Sequence, residues 1–131
     1  MATLAAAGQF ARNERAKYFY TSESMGTRPT TRYVRLHSSD PGVSGATGEI
    51  TGSGYAAQTV AFTRTNNVVN NTAAITFPVV TSTAYVVTHY SIFDAASGGN
   101  MLARCALAVP KTLDVGDAAS FGIGEIIITE T

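Results

Sequence analysis

The stretch Tyr85-Val-Val-Thr-His-Tyr-Ser-Ile-Phe93 decides the fold, because it is the strongest β-strand signal in the chain. It is rich in β-branched and aromatic residues, which favour strands. The loop-forming run Asp94-Ala-Ala-Ser-Gly-Gly-Asn100 follows it, and Met101 to Val109 then has the composition of a return strand. The three segments together predict a β-hairpin that turns near Ser97.

Further short strand signals recur on both sides of this hairpin, at a spacing of roughly 8–12 residues. They cover Tyr33 to His37, Ala57 to Thr63, Ala73 to Phe77, Leu113 to Val115, Ala119 to Ile123 and Glu125 to Glu130. Alternation places Val34 and Leu36 on one inner face, and likewise Val60 and Phe62. Turn residues dominate Ser38 to Gly54 and the pairs Asn66-Asn67 and Asn70-Asn71. About eight short strands with no helix between them predict an all-β fold, an antiparallel β-sandwich or jelly roll.

The first 31 residues have a different character. Gln9 to Tyr20 is rich in good helix formers, whereas Thr21 to Thr31 is rich in Ser and Thr and contains Gly26 and Pro29. We therefore predict an N-terminal arm with a short helix and a linker over residues 1–31, and a β-sandwich domain over residues 32–131. The alanine-rich run at residues 2–7 is too short for a signal-peptide core, so we expect no secretion.

The charge content indicates a protein that works through contacts. Charged residues make up 14% of the 131 residues and the net charge is zero, whereas charged residues are about 25% of an average soluble domain. Few charges and little mutual repulsion favour an assembly that covers part of the surface. A monomer solubilised by its many Thr, Ser and Asn residues is the alternative.

The charges are also unevenly distributed along the chain. Residues 1–35 hold six basic and two acidic residues, and residues 36–131 hold three basic and seven acidic residues. This split favours head-to-tail contact between copies, or a basic arm bound to an acidic partner. An arm folded back on its own acidic body fits the pattern equally well. Zero net charge argues against a nucleic-acid partner, and no apolar run approaches the roughly 18 residues of a membrane span.

Residues that could carry catalysis are scarce. A hairpin that turns near Ser97 places His89 beside Cys105, and a thiol next to an imidazole can act as nucleophile and base. Cysteine is more often a small buried hydrophobic residue, and a one-residue change of register would separate the two side chains. We therefore expect that the protein is not an enzyme and has no catalytic residues.

Metal and cofactor sites are not indicated either. His37 and Asp40 could bind a metal, but Asp40-Pro41-Gly42 is typical of a turn and no zinc-type spacing is present. Asp94 is expected to cap the backbone of its loop. The glycine-rich runs Gly45-Ala-Thr-Gly48 and Gly52-Ser53-Gly54 lack the strand-to-helix context of a phosphate-binding loop. We expect no metal and no cofactor.

The arm contains the best candidates for binding a protein partner. Aromatic residues and arginine are enriched at the centres of protein interfaces, and both are concentrated in the predicted helix. The candidate partner-binding residues are Phe10, Arg12, Arg15, Lys17, Tyr18, Phe19 and Tyr20.

Several segments resemble those of small structural proteins of tailed-bacteriophage virions. The similar segments are Tyr33-Val-Arg-Leu-His-Ser-Ser-Asp-Pro-Gly42, Gly54 to Phe62, Asn71 to Pro78, Ser91-Ile-Phe-Asp-Ala-Ala-Ser-Gly-Gly-Asn-Met-Leu102 and Ala106 to Asp117. This family includes capsid cement (decoration) proteins and tail-fibre-like β-sandwich proteins. The resemblance implies a virion protein, and we favour capsid cement because the sequence shows no long shaft or coiled coil.

A cement protein of this kind would clamp subunits of the major capsid protein on the capsid exterior, after assembly in the host cytoplasm. Multivalent binding would strengthen a small interface, so we expect a homo-oligomer, a trimer or a dimer. A tail, adaptor or tail-fibre-like structural protein is the main alternative. A glycan-binding module is a further one, with tyrosines in place of the absent tryptophan.

Overall fold

The computed structural model describes residues 6–130 and contains ten β-strands and one α-helix over that range. The helix is α1 (Gln9–Tyr20). The strands are β1 (Ala6–Ala7), β2 (Arg32–His37), β3 (Gln58–Val60), β4 (Phe62–Thr65), β5 (Val68–Asn71), β6 (Ile75–Thr76), β7 (Tyr85–Phe93), β8 (Met101–Leu113), β9 (Ser120–Phe121) and β10 (Ile127–Thr129). Both the all-β class and the short N-terminal helix predicted from the sequence are confirmed. The expectation of no signal peptide falls largely on residues 1–5, outside the described residues.

The strands form three antiparallel sheets. The largest has five strands in the order β1-β8-β7-β2-β3, the second has the order β10-β5-β4, and the third pairs β6 with β9. One face of the five-stranded sheet packs against the smaller sheets, which gives the β-sandwich. The core between them is made by Val34, Leu36, Val60, Ile75, Phe77, Val80, Val87, Tyr90, Ile92, Cys105, Leu113, Phe121, Ile126 and Ile128, among others.

The β7–β8 hairpin forms as predicted but is longer on its return side. The predicted separate strand at Leu113 to Val115 is wrong, because Leu113 is the last residue of β8. Val87 pairs with Lys111 whereas His89 pairs with Ala106, so four residues of β8 bulge out opposite Thr88. Pro110 lies in this bulge, where its missing N–H breaks no ladder hydrogen bond.

Residues Ala57 to Thr63 were predicted as one strand, and the chain divides them between two sheets. Val60 pairs with Arg32 in the five-stranded sheet, whereas Phe62 pairs with Asn71 in the three-stranded sheet. The chain therefore crosses from one layer of the sandwich to the other at Ala61. Val60 is buried and Phe62 packs partly buried against the same core, so the predicted inner face is correct.

The predicted turn at Asn66-Asn67 is present, with Asn66 at a positive φ of 54°. The predicted turn at Asn70-Asn71 is wrong, since both residues belong to β5. The Asn71 side chain is buried and donates to the carbonyls of Ala73 (2.8 Å) and Gly122 (2.9 Å), while its oxygen accepts from the Ile126 N–H (2.9 Å). Asn71 is thus an internal connector that holds the segment before β10.

Within residues 6–130, α1 is the only α-helix, and no helix is both long and apolar enough to span a bilayer.

Candidate protein-interaction surface

Helix α1 begins where the chain passes very close to β8. Gly8 is the N-cap residue and offers no side-chain cap. A Cβ at Gly8 would lie 2.5 Å from the Met101 carbonyl oxygen, so only glycine fits there. The N–H groups of Gly8 and Gln9 instead donate to the carbonyls of Leu102 (2.9 Å) and Val43 (3.0 Å). The start of the helix is therefore fixed by the sandwich.

The linker after α1 folds back onto the helix through Glu14. This carboxylate is only 9% exposed, accepts from Lys17 Nζ at 2.8 Å and accepts from the Gly26 N–H. The hydrogen bond from Lys17, followed by that from Gly26, lowers the pKa of Glu14, and the same contact raises the pKa of Lys17. Glu14 thus ties the middle of the linker to the middle of the helix.

The last three residues of α1 form an exposed aromatic cluster, which we call the aromatic end. Tyr18, Phe19 and Tyr20 are 67%, 65% and 85% exposed. The Tyr18 and Phe19 rings meet edge to face with centroids 4.9 Å apart, and Phe19 and Tyr20 are 6.3 Å apart. Large aromatic side chains grouped in this way on a soluble surface are typical of protein-interaction sites.

The structure separates the seven candidate partner-binding residues into two groups. Arg12 is exposed, and so are the rings of Tyr18, Phe19 and Tyr20 about two turns further along the same helix. Phe10 is half-buried and lines an open groove between α1 and the linker. Arg15 and Lys17 are engaged within the chain, in ion pairs with Glu130 and Glu14. The exposed group, Arg12 with the aromatic end, is therefore the surface available to a partner.

The Arg15–Glu130 ion pair bears on the uneven charge distribution. It joins the basic arm to the acidic C-terminal part of the same chain, so the arm does fold back on its own body at this point. Arg12 and Arg28 of the arm form no ion pair within the described residues. They leave positive charge on the arm for another molecule.

The predicted proximity of His89 and Cys105 is wrong. The hairpin register is offset by one residue from that expected, so His89 pairs with Ala106 and Cys105 pairs with Tyr90. Cys105 is buried in the core, and His89 accepts or donates a hydrogen bond at Thr88 Oγ1 (2.8 Å) on the other face of the strand. Successive side chains of a strand point to opposite faces, so this pair cannot act as nucleophile and base.

His37 and Asp40 are also kept apart. His37 is fully buried, with Nδ1 2.9 Å from the Thr47 carbonyl oxygen and Nε2 2.7 Å from Ser91 Oγ. Asp40 accepts from the Gly42 N–H (2.9 Å) and from Arg104, which is the turn predicted for Asp40-Pro41-Gly42. The described residues contain no group of three His, Cys, Asp or Glu side chains that could hold a metal ion. Asp94 accepts from the Asn100 N–H (2.6 Å) and so caps its loop as predicted.

Sequence reasoning missed a buried polar cluster on the second face of β2. Arg35 donates to the carbonyls of Ala95 (2.7 Å) and Gly98 (2.5 Å), and its guanidinium carbon lies 3.6 Å from the centre of the Phe93 ring. Its Nη1 is 3.4 Å from Glu49 Oε1, and Glu49 in turn accepts from the Tyr55 hydroxyl (3.0 Å). This cluster binds the 94–100 loop and the 38–57 segment to the sheet.

The 38–57 segment covers this face because Gly45 allows close approach. Gly45 has a φ of +79°, and a Cβ there would lie 2.5 Å from the Phe93 ring. Burial lowers the pKa of His37 and raises the pKa of Tyr55. The signal that could have revealed this cluster was the alternation itself, which places Arg35 and His37 opposite Val34 and Leu36 and so predicts either an exposed face or a covered one.

Comparison with protein families identifies the chain. Residues 9–129 match the family described as podophage GP4 fiber I protein gp80. The chain belongs to this family. No curated protein matches the chain.

The match to the fiber I family includes the helix that carries the candidate surface. The match begins at Gln9, the first residue of α1, and ends one residue before Glu130. It therefore contains the helix, the linker and the sandwich together. Membership in the fiber I family makes the protein a phage structural protein, as the sequence resemblance implied.

Proposed function

We propose that this protein is a component of a phage tail fibre or of its attachment to the tail, and that it acts through protein contacts and not through catalysis. The observation that carries the proposal is the match of residues 9–129 to a fibre protein family. It supports the tail-fibre-like alternative better than the capsid cement favoured from the sequence.

The surface chemistry supports a contact role. Tyr18, Phe19 and Tyr20 expose three rings to solvent on the helix that also exposes Arg12. An exposed ring cluster is unfavourable in water and becomes favourable when a partner covers it, at about 25 cal/mol per Å² of apolar area removed from water. The protein carries few charges, so electrostatic repulsion between neighbouring molecules is weak. This surface is therefore suited to a contact inside a virion assembly.

Capsid cement is the second candidate. The observation in its favour is that the part of the chain from residue 6 to 130 is a small sandwich whose only helix has 12 residues, without the long shaft of many fibres. In that case the major capsid protein would be the partner and the capsid exterior the location. Both candidates place the protein in the virion and predict self-association, as a dimer or trimer.

Localisation on the particle distinguishes the two candidates. Purified virions would be separated into heads and tails, and each fraction would be assayed by quantitative mass spectrometry, together with microscopy of particles labelled by a gold-conjugated antibody. We expect the protein in the tail fraction, with label at the fibres. Label over the capsid would favour cement, and absence from all particles would contradict both candidates.

A further inference from the structure

The N-terminal arm is anchored at one end of the sandwich. Gly8 donates to Leu102, at the start of β8, and Tyr33, just after the linker, pairs with Phe93, at the end of β7. Both attachment points of the arm therefore lie at the end of the hairpin that carries the 94–100 loop. The arm that carries the aromatic end is thus attached to the sandwich at this end.

The opposite end of the same hairpin carries two loops with a complementary character. Leu113 pairs with Tyr85, and the chain then forms a turn in which Gly116 donates to the Val80 carbonyl and Val80 donates to the Asp117 carbonyl, both at 2.8 Å. Val79 and Val115 on these loops are 52% and 57% exposed. Asp114 and Asp117 are exposed beside them. We call these four residues, Val79, Asp114, Val115 and Asp117, the distal loops.

The charged residues that form no ion pair leave the arm with a net positive charge and the sandwich with an equal net negative charge. Four ion pairs within the described residues each join one basic and one acidic side chain. In the arm, residues 1–31, the remaining residues are Arg12, Arg28 and Glu23, which gives a surplus of one positive charge. In the sandwich, residues 32–131, they are Arg32, Arg64, Lys111, Asp94, Asp114, Asp117 and Glu125, which gives a surplus of one negative charge.

We infer that the aromatic end of one copy docks on the distal loops of a second copy, in a head-to-tail contact. Exposed rings of Tyr18, Phe19 and Tyr20 would cover Val79 and Val115, while arginines of the arm would face Asp114 and Asp117. Within one copy the arm is attached at one end of the β7–β8 hairpin and the distal loops lie at the other. Each added copy leaves one surface of each kind free, so growth continues unless the geometry closes a ring. This inference rests on the proposed function, because it names the partner of the same surface.

The test uses two variants that each remove one surface. The first, Tyr18→Gln with Phe19→Gln and Tyr20→Gln, removes the aromatic end but keeps good helix formers. The second, Asp114→Lys with Val115→Ser, changes the distal loops but leaves the Asp117 side chain that accepts from the Asp114 N–H. Ile123→Gln is the matched control, because Ile123 is 72% exposed and belongs to neither surface.

Sedimentation velocity of the full chain over a range of concentrations measures the association. We expect the wild-type protein and the control to associate with the same affinity, and each surface variant to weaken self-association by at least about tenfold, as for loss of interface hot spots. A mixture of the two surface variants should form a heterodimer, because one supplies an intact aromatic end and the other intact distal loops. Association should stop at this heterodimer, because the aromatic end and the distal loops that remain free in it both carry the substitutions.

Two outcomes would overturn the inference. One is a wild-type protein that stays monomeric up to millimolar concentration. The other is self-association that the surface variants leave unchanged, or that their mixture fails to restore, which would indicate a two-fold contact or a different surface. Circular dichroism of each variant shows whether it is folded. Particle localisation is a separate measurement, so this inference can fail while the fibre assignment stands.

Discussion

In most proteins polar side chains are exposed and large apolar ones are buried, and β2 and α1 both depart from this rule. Strand β2 buries polar side chains, whereas helix α1 exposes aromatic ones. Strand β2 buries Arg35 and His37, which are 4% and 0% exposed, whereas α1 exposes three aromatic rings to solvent. The Arg35 Nη2 atom and both ring nitrogens of His37 have partners in the same chain, mainly backbone carbonyls of the loops that they hold, while Arg35 Nε has none within the described residues. The rings of Tyr18, Phe19 and Tyr20 are 65–85% exposed, and they contact one another.

This difference separates internal from external roles. Burying a charged or polar group is costly unless its hydrogen bonds are satisfied, so the partners of Arg35 and His37 show that these residues stabilise the fold. Exposing a cluster of rings gains nothing for the isolated chain, which supports our proposal that those residues serve contacts outside it. The four predictions below test whether the two regions divide in this way.

Arg35→Ala should have the largest effect on stability. It removes two hydrogen bonds to the 94–100 loop and the contact with Phe93, and it leaves Glu49 without its cation. We expect the free energy of unfolding to fall by about 3–5 kcal/mol, as when one partner of a buried charged network is removed. Urea denaturation measures this. Arg104→Ala, which breaks the more exposed ion pair with Asp40, is the control and should cost less than about 1 kcal/mol. Equal losses for the two variants would contradict a special role of the buried Arg35.

Asn71→Ala should rank next. It leaves the carbonyls of Ala73 and Gly122 and the N–H of Ile126 without their partner in a buried place. Since an unsatisfied buried group costs about 1–3 kcal/mol, we expect a loss of about 2–4 kcal/mol in the same denaturation experiment. Asn70→Ala, one residue earlier and half-buried, should cost less than about 1 kcal/mol. A small effect at Asn71 would contradict its role as connector.

His37 should make stability depend on pH. Burial, as the main cause, lowers the pKa of His37 below its ordinary value of 6.5 in spite of Glu49 nearby. The unfolded chain therefore takes up a proton first as the pH falls, so stability present above about pH 6.5 is lost as the pH decreases toward the lowered pKa. Each unit of lowering corresponds to about 1.4 kcal/mol.

The measurement for His37 is the melting temperature at pH 7 and pH 5. The wild type should lose stability between these values, while His37→Gln should be less stable at both and show a much smaller difference. His89→Gln is the control, because His89 is half-buried and hydrogen-bonds to Thr88; it should keep the wild-type difference. An unchanged pH response in His37→Gln would assign the effect to other groups.

Replacing the aromatic end should have the smallest effect on the isolated chain. The triple change of Tyr18, Phe19 and Tyr20 to Gln should alter the free energy of unfolding by less than about 0.5 kcal/mol, as for other exposed positions. The measurement is urea denaturation at a concentration at which the protein is monomeric. A loss above 2 kcal/mol would show that the rings stabilise their own fold, and the contrast with β2 would then disappear.

The sequence predicted the elements that local patterns specify. The Tyr85–Phe93 strand, its loop, the helix from Gln9 to Tyr20 and the capping of the 94–100 loop by Asp94 follow from composition, periodicity and turn chemistry. The candidate partner-binding residues were chosen in the same way, as a cluster of aromatic and basic residues, and their role stays a prediction.

Features that depend on contacts between distant parts of the chain could not be predicted from the sequence. The position of Cys105 opposite Tyr90 and not His89 is set by a bulge between Ile92 and Phe93, and a single residue of offset reverses the faces. The burial of Arg35 depends on a loop closing over it, and the burial of Asn71 depends on the chain near Gly122. Arg35 and Asn71 are polar residues whose local patterns are typical of an exposed face and a turn, and only their long-range partners reveal the interior positions.

The glycine at the start of α1 has a consequence for the order in which the protein folds. A 12-residue helix without a side-chain cap is marginal in water on its own. Its first amide groups are satisfied only by carbonyls of Leu102 and Val43, which come together after the hairpin and the segment over it have formed. The sandwich therefore serves as the template on which the arm becomes helical, and a peptide of residues 6–31 alone should be largely unstructured.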